Sequence, residues 1–312
     1  MIYNMIQKTF ICFVTLLLFS CREDTEIRES LAYANRLDFE IIGLSQDELP
    51  YALDAPISKN INYLVDEDSI PLFPYKGEIY YHPVLIAQKI LPLLSSYTLT
   101  ADSVYLKRAQ LFSDKLLDIS DQNDDMIFFL YPFSFNLHGY TEDLMTAPWV
   151  SGMAQGQILS VFSRLYNITE EETYLNIASK IYDSFFRLAN NVDYWCTYID
   201  SNNYAWIEEY PDYSEPNFTL NGFIFAIFGL YDYYSINPSS ELEEIIQICL
   251  TTIKHYIPDF RNEGYLSFYC LTHKVTDLHY HHVHIDQLNY LFAMTGDSTF
   301  YQYAQLFIED HE

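Results

Sequence analysis

One phrase recurs three times along the chain: DSVYLKRAQLF from Asp102, EETYLNIASKIY from Glu171 and DSTFYQYAQLF from Asp297. Each opens on an acidic or hydroxyl residue and then sets an aromatic four positions ahead of an alanine, in the pairs Tyr105/Ala109, Tyr174/Ala178 and Phe300/Ala304. The opening is a helix N-cap signature, and the spacing stacks aromatic and alanine on one helical face. A degenerate fourth copy begins at Ser239-Ser240-Glu241. Ahead of every copy lies a second helical segment, at about 83–97, 149–166, 217–234 and 283–295, which is apolar nearly all round. In the third of these, Phe218, Leu220, Phe223, Ile224, Ile227 and Leu230 leave little polar face, and a helix with no wet face is buried. The repeated partner, such as 106–119 with Lys107, Arg108 and Asp114, is amphipathic and belongs outside.

The spacing predicts an inner helix, a short turn, an outer helix and a connection of roughly 25–30 residues, four times over. The connections alternate aromatic residues at 128–135, 194–206 and 265–271, a pattern that predicts β-hairpins. The expected fold is therefore dominated by α-helix: an α/α toroid of about four helical hairpins with β-hairpin insertions between them. In such a barrel the inner helices run the same way and their N-terminal ends meet at one rim. The segments Tyr80-Tyr81-His82, 149–157, Glu208-Glu209-Tyr210 and 280–284 are expected to converge there, where helix N-termini favour anions.

The ends divide off separately. Lys8 is the one charge before an apolar run from Thr9 to Phe19. That run is shorter than the roughly 20 residues needed to span a bilayer and reads as a signal-peptide core. Leu18-Phe19-Ser20-Cys21 resembles a bacterial lipobox, which makes Cys21 the expected lipidation site. Residues 1–20 are thus expected to be a lipoprotein signal, 21–75 a tether and lead-in, and 76–312 the toroid domain. The expected location is outside the cytoplasm, periplasmic or at the cell surface, anchored to the membrane rather than spanning it.

Charge narrows the partners. A net charge of −27 argues against nucleic acid, because phosphate binding needs a basic footprint. Three cysteines lie beyond Cys21, namely Cys196, Cys249 and Cys270, and an odd number implies no disulfide framework. Tyrosine occurs 29 times, and a flat apolar ring with a polar tip suits sugar binding as well as ordinary packing.

Near the C-terminus, LHYHHVHIDQL places His279, His281, His282 and His284 within six positions. Read as extended chain, the stretch puts His279 and His281 opposite His282, and neither an H-E-x-x-H nor a C-x-x-C motif occurs. Structural zinc sites gather separated ligands, often with cysteine, so neither a metal nor a cofactor is expected. The histidines read instead as substrate-binding groups around Tyr280, just ahead of the last inner helix.

Four motifs then resemble one family. WVSGMAQGQILSVFSRLY from Trp149, IEEYPDYSEPNFTLNGFIFAIFGLYDYY from Ile207, YHHVHIDQL from Tyr280 and YYHPVLIAQ from Tyr80 are similar, in order and spacing, to segments of the heparosan glucuronyl C5-epimerases. The resemblance runs from about residue 80 to 312. It implies that family's α/α-barrel C-terminal domain and inversion of C5 in uronic acid residues of a polysaccharide. Carried over motif by motif, it places the catalytic groups on Glu209, Tyr210, Tyr269 and Tyr280. Two departures stand out. Thr272 occupies a position where the family carries arginine, and Asp277-Leu278-His279 replaces a stretch with arginine and tryptophan.

The chemistry fits these residue types. Epimerisation removes a weakly acidic proton alpha to a carboxylate and returns one to the other face, so it needs two acid–base groups and a means of blunting the carboxylate charge. A tyrosine base would need its ordinary pKa near 10 lowered by donors or cations. Tyr81, His82, Trp149, Gln155, Asn221, His273, His281 and His284 are the expected substrate-binding residues. Three other readings share the sequence: a polysaccharide lyase, a glycoside hydrolase pairing Glu209 with Asp143 or Asp286, and an inactive sugar-binding lipoprotein.

Overall fold

The computed structural model describes residues 31–123, 125–189, 194–211 and 216–311. Cys21 and the expected signal segment lie outside the described residues. From residue 83 on, eight α-helices among the described residues occur in pairs: α1 (Pro83–Thr100) with α2 (Ser103–Asp118), α3 (Gly152–Thr169) with α4 (Glu172–Ser184), α5 (Leu220–Ile236) with α6 (Ser240–Phe260), and α7 (Leu278–Thr295) with α8 (Ser298–Asp310). The first member of each pair is the inner helix. Consecutive inner helices pack α1 on α3, α3 on α5 and α5 on α7, and each inner helix packs on its own outer partner. This is the α/α toroid arrangement expected from the repeat.

The recurring phrase does what its spacing predicts. Asp102 and Asp297 cap α2 and α8, accepting from the backbone N–H of Val104 and Thr299, and Ser239 caps α6. Glu171 starts α4 without a side-chain cap bond. Ala109, Ala178 and Ala304 are fully buried against the inner layer. At those positions alanine lets the outer helix lie close.

The tightest approach is inside. A Cβ on Gly156 of α3 would sit 2.3 Å from the Ala226 Cα of α5, and one on Gly229 would sit 2.1 Å from the Gly156 carbonyl oxygen. The two helices therefore touch backbone to backbone. Gly156 serves this packing and no room for a ligand opens there, while Gly152 lets the helix start close against the Ile207 side chain and the Glu208 carbonyl.

Among the described residues there are four short antiparallel hairpins, one ahead of α1, two between α2 and α3, and one between α4 and α5. They are β1 (Phe73–Tyr75) with β2 (Glu78–Tyr80), β3 (Ser120–Gln122) with β4 (Ile127–Phe129), β5 (Phe135–Asn136) with β6 (Leu144–Met145), and β7 (Thr197–Ile199) with β8 (Ala205–Ile207). The hairpin expected at 265–271 does not form. That stretch is held instead by single bridges, Thr219 to Cys270 and Phe268 to Thr276. It folds onto the start of α5, where the Leu220 N–H donates to the Tyr269 carbonyl at 3.1 Å.

The lead-in crosses the far end of the bundle. The Ile42 N–H donates to the Met294 carbonyl, Tyr231 Oη donates to the Ile42 carbonyl, and Gln247 Nε2 donates to that of Phe39. Arg164 binds Asp232 through two nitrogens and also donates to the Pro50 carbonyl, tying this segment to α3 and α5. No helix among the described residues is long and apolar enough to cross a membrane.

Candidate active site

The N-terminal ends of the inner helices surround two cavities of about 340 Å³ each. They share Phe135, Tyr210 and Tyr280 in their walls and so form one cleft with two lobes. His82 and Ser151, the N-caps of α1 and α3, line the first lobe. Asp277, the N-cap of α7, lines the second. The positive ends of three inner-helix dipoles thus face the cleft, which favours an anion there. Among the described residues, neither lobe is lined by lysine or arginine.

Glu208 and Glu209 leave β8 in succession and point different ways. The Glu208 backbone is pinned by the Gly152 N–H on its carbonyl and by its own N–H on the Cys196 carbonyl. Its carboxylate turns into the protein and accepts from the N–H groups of Asn217 and Phe218. Burial raises its pKa to about 8, against the lowering effect of those two donors. Glu209 lies instead against the first turn of α5. Gly222 is there because any Cβ would come within 2.4 Å of the Glu209 carboxylate.

Three tyrosines gather around Glu209. Tyr269 Oη donates to Glu209 Oε2 at 3.0 Å, Tyr210 Oη lies 3.3 Å from Tyr269 Oη, and the rings of Tyr269 and Tyr280 meet edge to face at 4.5 Å. Burial raises the Glu209 pKa to about 7, and the nearby Tyr269, Tyr210 and Asn221 groups partly offset that rise. The tyrosines shift upward too. Burial, then the neighbouring Glu209 charge, pushes Tyr210, Tyr269 and Tyr280 above the usual phenol value. The sequence asked for a depressed phenol if tyrosine is to be the base, and the structure provides the reverse.

The other expected residues divide. His82 lines the first lobe, where its Nδ1 accepts from the Leu85 N–H, leaving Nε2 as a neutral N–H donor. Burial lowers its pKa to about 4. Trp149 lines the same lobe with its ring stacked 3.9 Å from Tyr131, while Nε1 donates to the Phe133 carbonyl. Asn221 is fully buried beside Glu209, and its amide makes no complete hydrogen bond.

Four assignments do not fit the cleft. Tyr81 donates to Asp66 at 2.6 Å outside both lobes. The Gln155 amide is used up in the core, donating to the Ile127 carbonyl and Ser184 Oγ and accepting from the Phe129 N–H. His281 and His284 are fully buried, with Nδ1 of each 2.9 Å from Ser267 Oγ. The reason is the backbone. Residues 278–284 are the first two turns of α7, not extended chain, so helical spacing turns His281 and His284 into the core. Tyr280 and His279 face the cleft instead.

A fifth expected binding residue, His273, also lines neither lobe: it is bonded to Asp143 Oδ2 at 3.0 Å and stacked on Tyr140.

Several wall residues went unassigned from sequence. Tyr131, Phe133 and Phe135 line the first lobe at every second position. Their period of two was legible in the aromatic alternation at 128–135, and extended chain puts such residues on one face. His138, in the second lobe, carried no local signal.

The buried carboxylates make a pH prediction. Glu208 is a raised acid, so between its ordinary pKa near 4.5 and about 8 the folded state holds a proton that the unfolded chain has released. Stability then falls as pH rises across that window. The half-buried His82 and the buried His284, with pKa lowered by desolvation to about 4 and about 3, act oppositely below about pH 6.5, where the unfolded chain alone is protonated. From about pH 6.5 the histidine effect has gone and both raised carboxylates act; Glu209 contributes up to about pH 7, and from about pH 7 to 8 the Glu208 effect dominates, at on the order of 1 kcal/mol per pH unit. Denaturant melts across that range should show the decline, and Glu208→Gln should flatten it between about pH 7 and 8. An unchanged slope in the variant would remove Glu208 as the cause.

Comparison with known proteins agrees with this architecture. An uncharacterized protein of Methanocaldococcus jannaschii is 26% identical over 64% of this chain and 65% of its own length. The D-glucuronyl C5-epimerase of Caenorhabditis elegans is 27% identical over 51% of this chain. This chain spans only 28% of the nematode protein, and just under two thirds of the archaeal one. Among solved structures, cellobiose 2-epimerase from Bacillus thermoamylovorans superimposes with a TM-score of 0.56 at 13% identity, covering 80% of this chain and 66% of that one. At that identity the likeness is one of fold. Residues 122–309 match the family described as D-glucuronyl C5-epimerase C-terminus, and the chain belongs to that family.

Proposed function

We propose that the protein is an epimerase that inverts C5 of uronic acid residues in a polysaccharide, with Glu209 as the base. The observation that carries this reading is the Glu209 carboxylate itself. It is buried, with its pKa raised to about 7, and it sits in the cleft wall with a tyrosine hydroxyl bonded to it. A base that titrates near neutrality has the strongest combination of proton affinity and available unprotonated form at physiological pH. Tyr280, held neutral and contributed by the inner helix α7, is the donor that returns a proton. The donor chain from Tyr210 through Tyr269 to Glu209 keeps the carboxylate aligned while it gains and loses charge. Helix N-termini and the neutral Nε2–H of His82 receive the uronate carboxylate, whose charge grows as the C5 proton leaves.

Hydrolysis is disfavoured by the same walls. Paired-carboxylate hydrolysis needs a second acid across the bond. Among the described residues, Glu209 is the single carboxylate lining the first lobe. Asp277, in the second, is committed to capping α7, Asp143 is bonded to His273, and Asp286 is exposed on α7.

The reading is tested by incubating the protein with uronate polymers in deuterated water. Epimerisation puts deuterium at C5 with chain length unchanged. An unsaturated chromophore would convert the reading to lyase action, new reducing ends would convert it to hydrolysis, and silence across the panel would leave a binding protein. We also propose that the chain works outside the cytoplasm on a lipid attached at Cys21, as its leader suggests. Metabolic labelling with a fatty acid, abolished by Cys21→Ser, tests that.

A further inference from the structure

Behind the tyrosine cluster, three potential metal ligands from separated parts of the chain come together. His138 Nε2 lies 3.3 Å from Cys270 Sγ, and His273 Nδ1 lies 3.7 Å from the same sulfur. All three ligand atoms fall within 4.8 Å of one another. His138 comes from the turn between β5 and β6, while Cys270 and His273 come from the loop between α6 and α7. We propose that His138, Cys270 and His273 form a binding site for a divalent metal ion of the zinc class.

Distances, protonation and support agree. With metal–sulfur bonds of about 2.3 Å and metal–nitrogen bonds of about 2.0–2.1 Å, two ligands of a tetrahedral ion stand roughly 3.3–3.6 Å apart. The two measured separations bracket that edge. His273 has its Nε2 at 3.0 Å from Asp143 Oδ2. A hydrogen on Nε2 is held by that carboxylate, so Nδ1 presents a lone pair toward the sulfur. A carboxylate behind a histidine is the usual support of a zinc ligand, since it fixes the tautomer and strengthens the donor. His138 takes a left-handed backbone conformation, φ 52°, that few non-glycine residues adopt. Its ring stands edge to face with that of His273, 5.1 Å away.

Binding is a simple exchange. The ion takes the Cys270 sulfur as thiolate, the thiol proton leaves to solvent, and no electron is transferred. Three protein ligands leave one tetrahedral position, which in zinc sites belongs to water or substrate. His138 lines the second lobe of the cleft, and its ring lies 5.4 Å from that of Tyr269. On the epimerase reading, the ion would supply positive charge to a cleft whose described walls hold no lysine or arginine. The site itself does not depend on that reading.

Cobalt(II) reports on the site without any substrate. Titration of the metal-stripped full chain should give one equivalent of binding, a thiolate-to-cobalt charge-transfer band and the visible bands of a tetrahedral ion. Cys270→Ser should abolish the charge-transfer band, while Cys249→Ser keeps it. His273→Ala should weaken binding at least tenfold, and Asp143→Asn should weaken it about 10- to 100-fold, the usual range for a supporting carboxylate. Near-ultraviolet circular dichroism checks that each variant is folded. If Cys270→Ser is not, loss of tight binding in a folded His273→Ala carries the same information. Absence of the charge-transfer band in the wild type at saturating cobalt, or its persistence in Cys270→Ser, overturns the site.

Discussion

Glu209→Gln is expected to lower the exchange rate by about 10²–10⁴-fold, the usual worth of a positioned general base. Glutamine keeps the shape over Gly222 and can still accept the Tyr269 hydroxyl, so the loss should fall on kcat with KM little changed. Removing a buried carboxylate should also leave the melting temperature unchanged or raise it above about pH 7, where wild-type Glu209 is ionised at a desolvation cost. The wild-type rate should decline as pH falls through about 7, because the protonated carboxylate cannot accept the C5 proton. Near-wild-type exchange in a folded Glu209→Gln protein would rule out Glu209 as the base and turn attention to the tyrosines. Tyr280→Phe then becomes informative, since it removes the proposed donor while keeping the ring against Tyr269.

Gly156→Ala should be among the most damaging small changes in the molecule. The added methyl would have to occupy a point 2.3 Å from the Ala226 Cα and 2.9 Å from the Phe225 carbonyl. Those are backbone atoms of an inner helix, so no side-chain rotation relieves the overlap. Overpacking a core commonly costs about 1–3 kcal/mol, and the rigid backbone here puts the cost at about 3 kcal/mol or more. Denaturant unfolding measures it directly. The effect should also reach the cleft, because α3 supplies Ser151 at its N-terminus and α5 carries the turn against which Glu209 lies. A melt within about 0.5 kcal/mol of wild type would mean that α3 and α5 have room to separate.

The local chemistry of this chain is written in its sequence. Cap residues, the aromatic-to-alanine spacing and the all-round apolar segments depend only on neighbours a few positions apart, and they specify four helix pairs and which member faces inward. Parallel inner helices then place their N-termini at one end, which is why Glu209, Tyr210 and Tyr280 were legible as rim residues. Tyr269 was reached only through its motif, because its place rests on a long-range bond from Leu220 to its carbonyl.

Direction was not legible where secondary structure was ambiguous. The histidine stretch 279–284 reads as extended or helical by composition, and the Asp277 cap decides for helix one residue later. That decision turns His281 and His284 from the cleft into the core. Gln155 shows the same limit, since only the assembled sheet edge at Ile127 and Phe129 reveals that its amide is fully engaged. Ionisation was less legible still. Burial by parts of the chain far away in sequence raises Glu209 to about 7 and holds the tyrosines neutral. The meeting of His138 with Cys270, 132 residues apart, likewise exists only once the β5–β6 turn and the α6–α7 loop are packed together. Sequence alone determined the helices and the rim on which chemistry could occur; tertiary packing decided which side chains face the cleft and which of them can take a proton, because desolvation and distance are properties of the assembled fold.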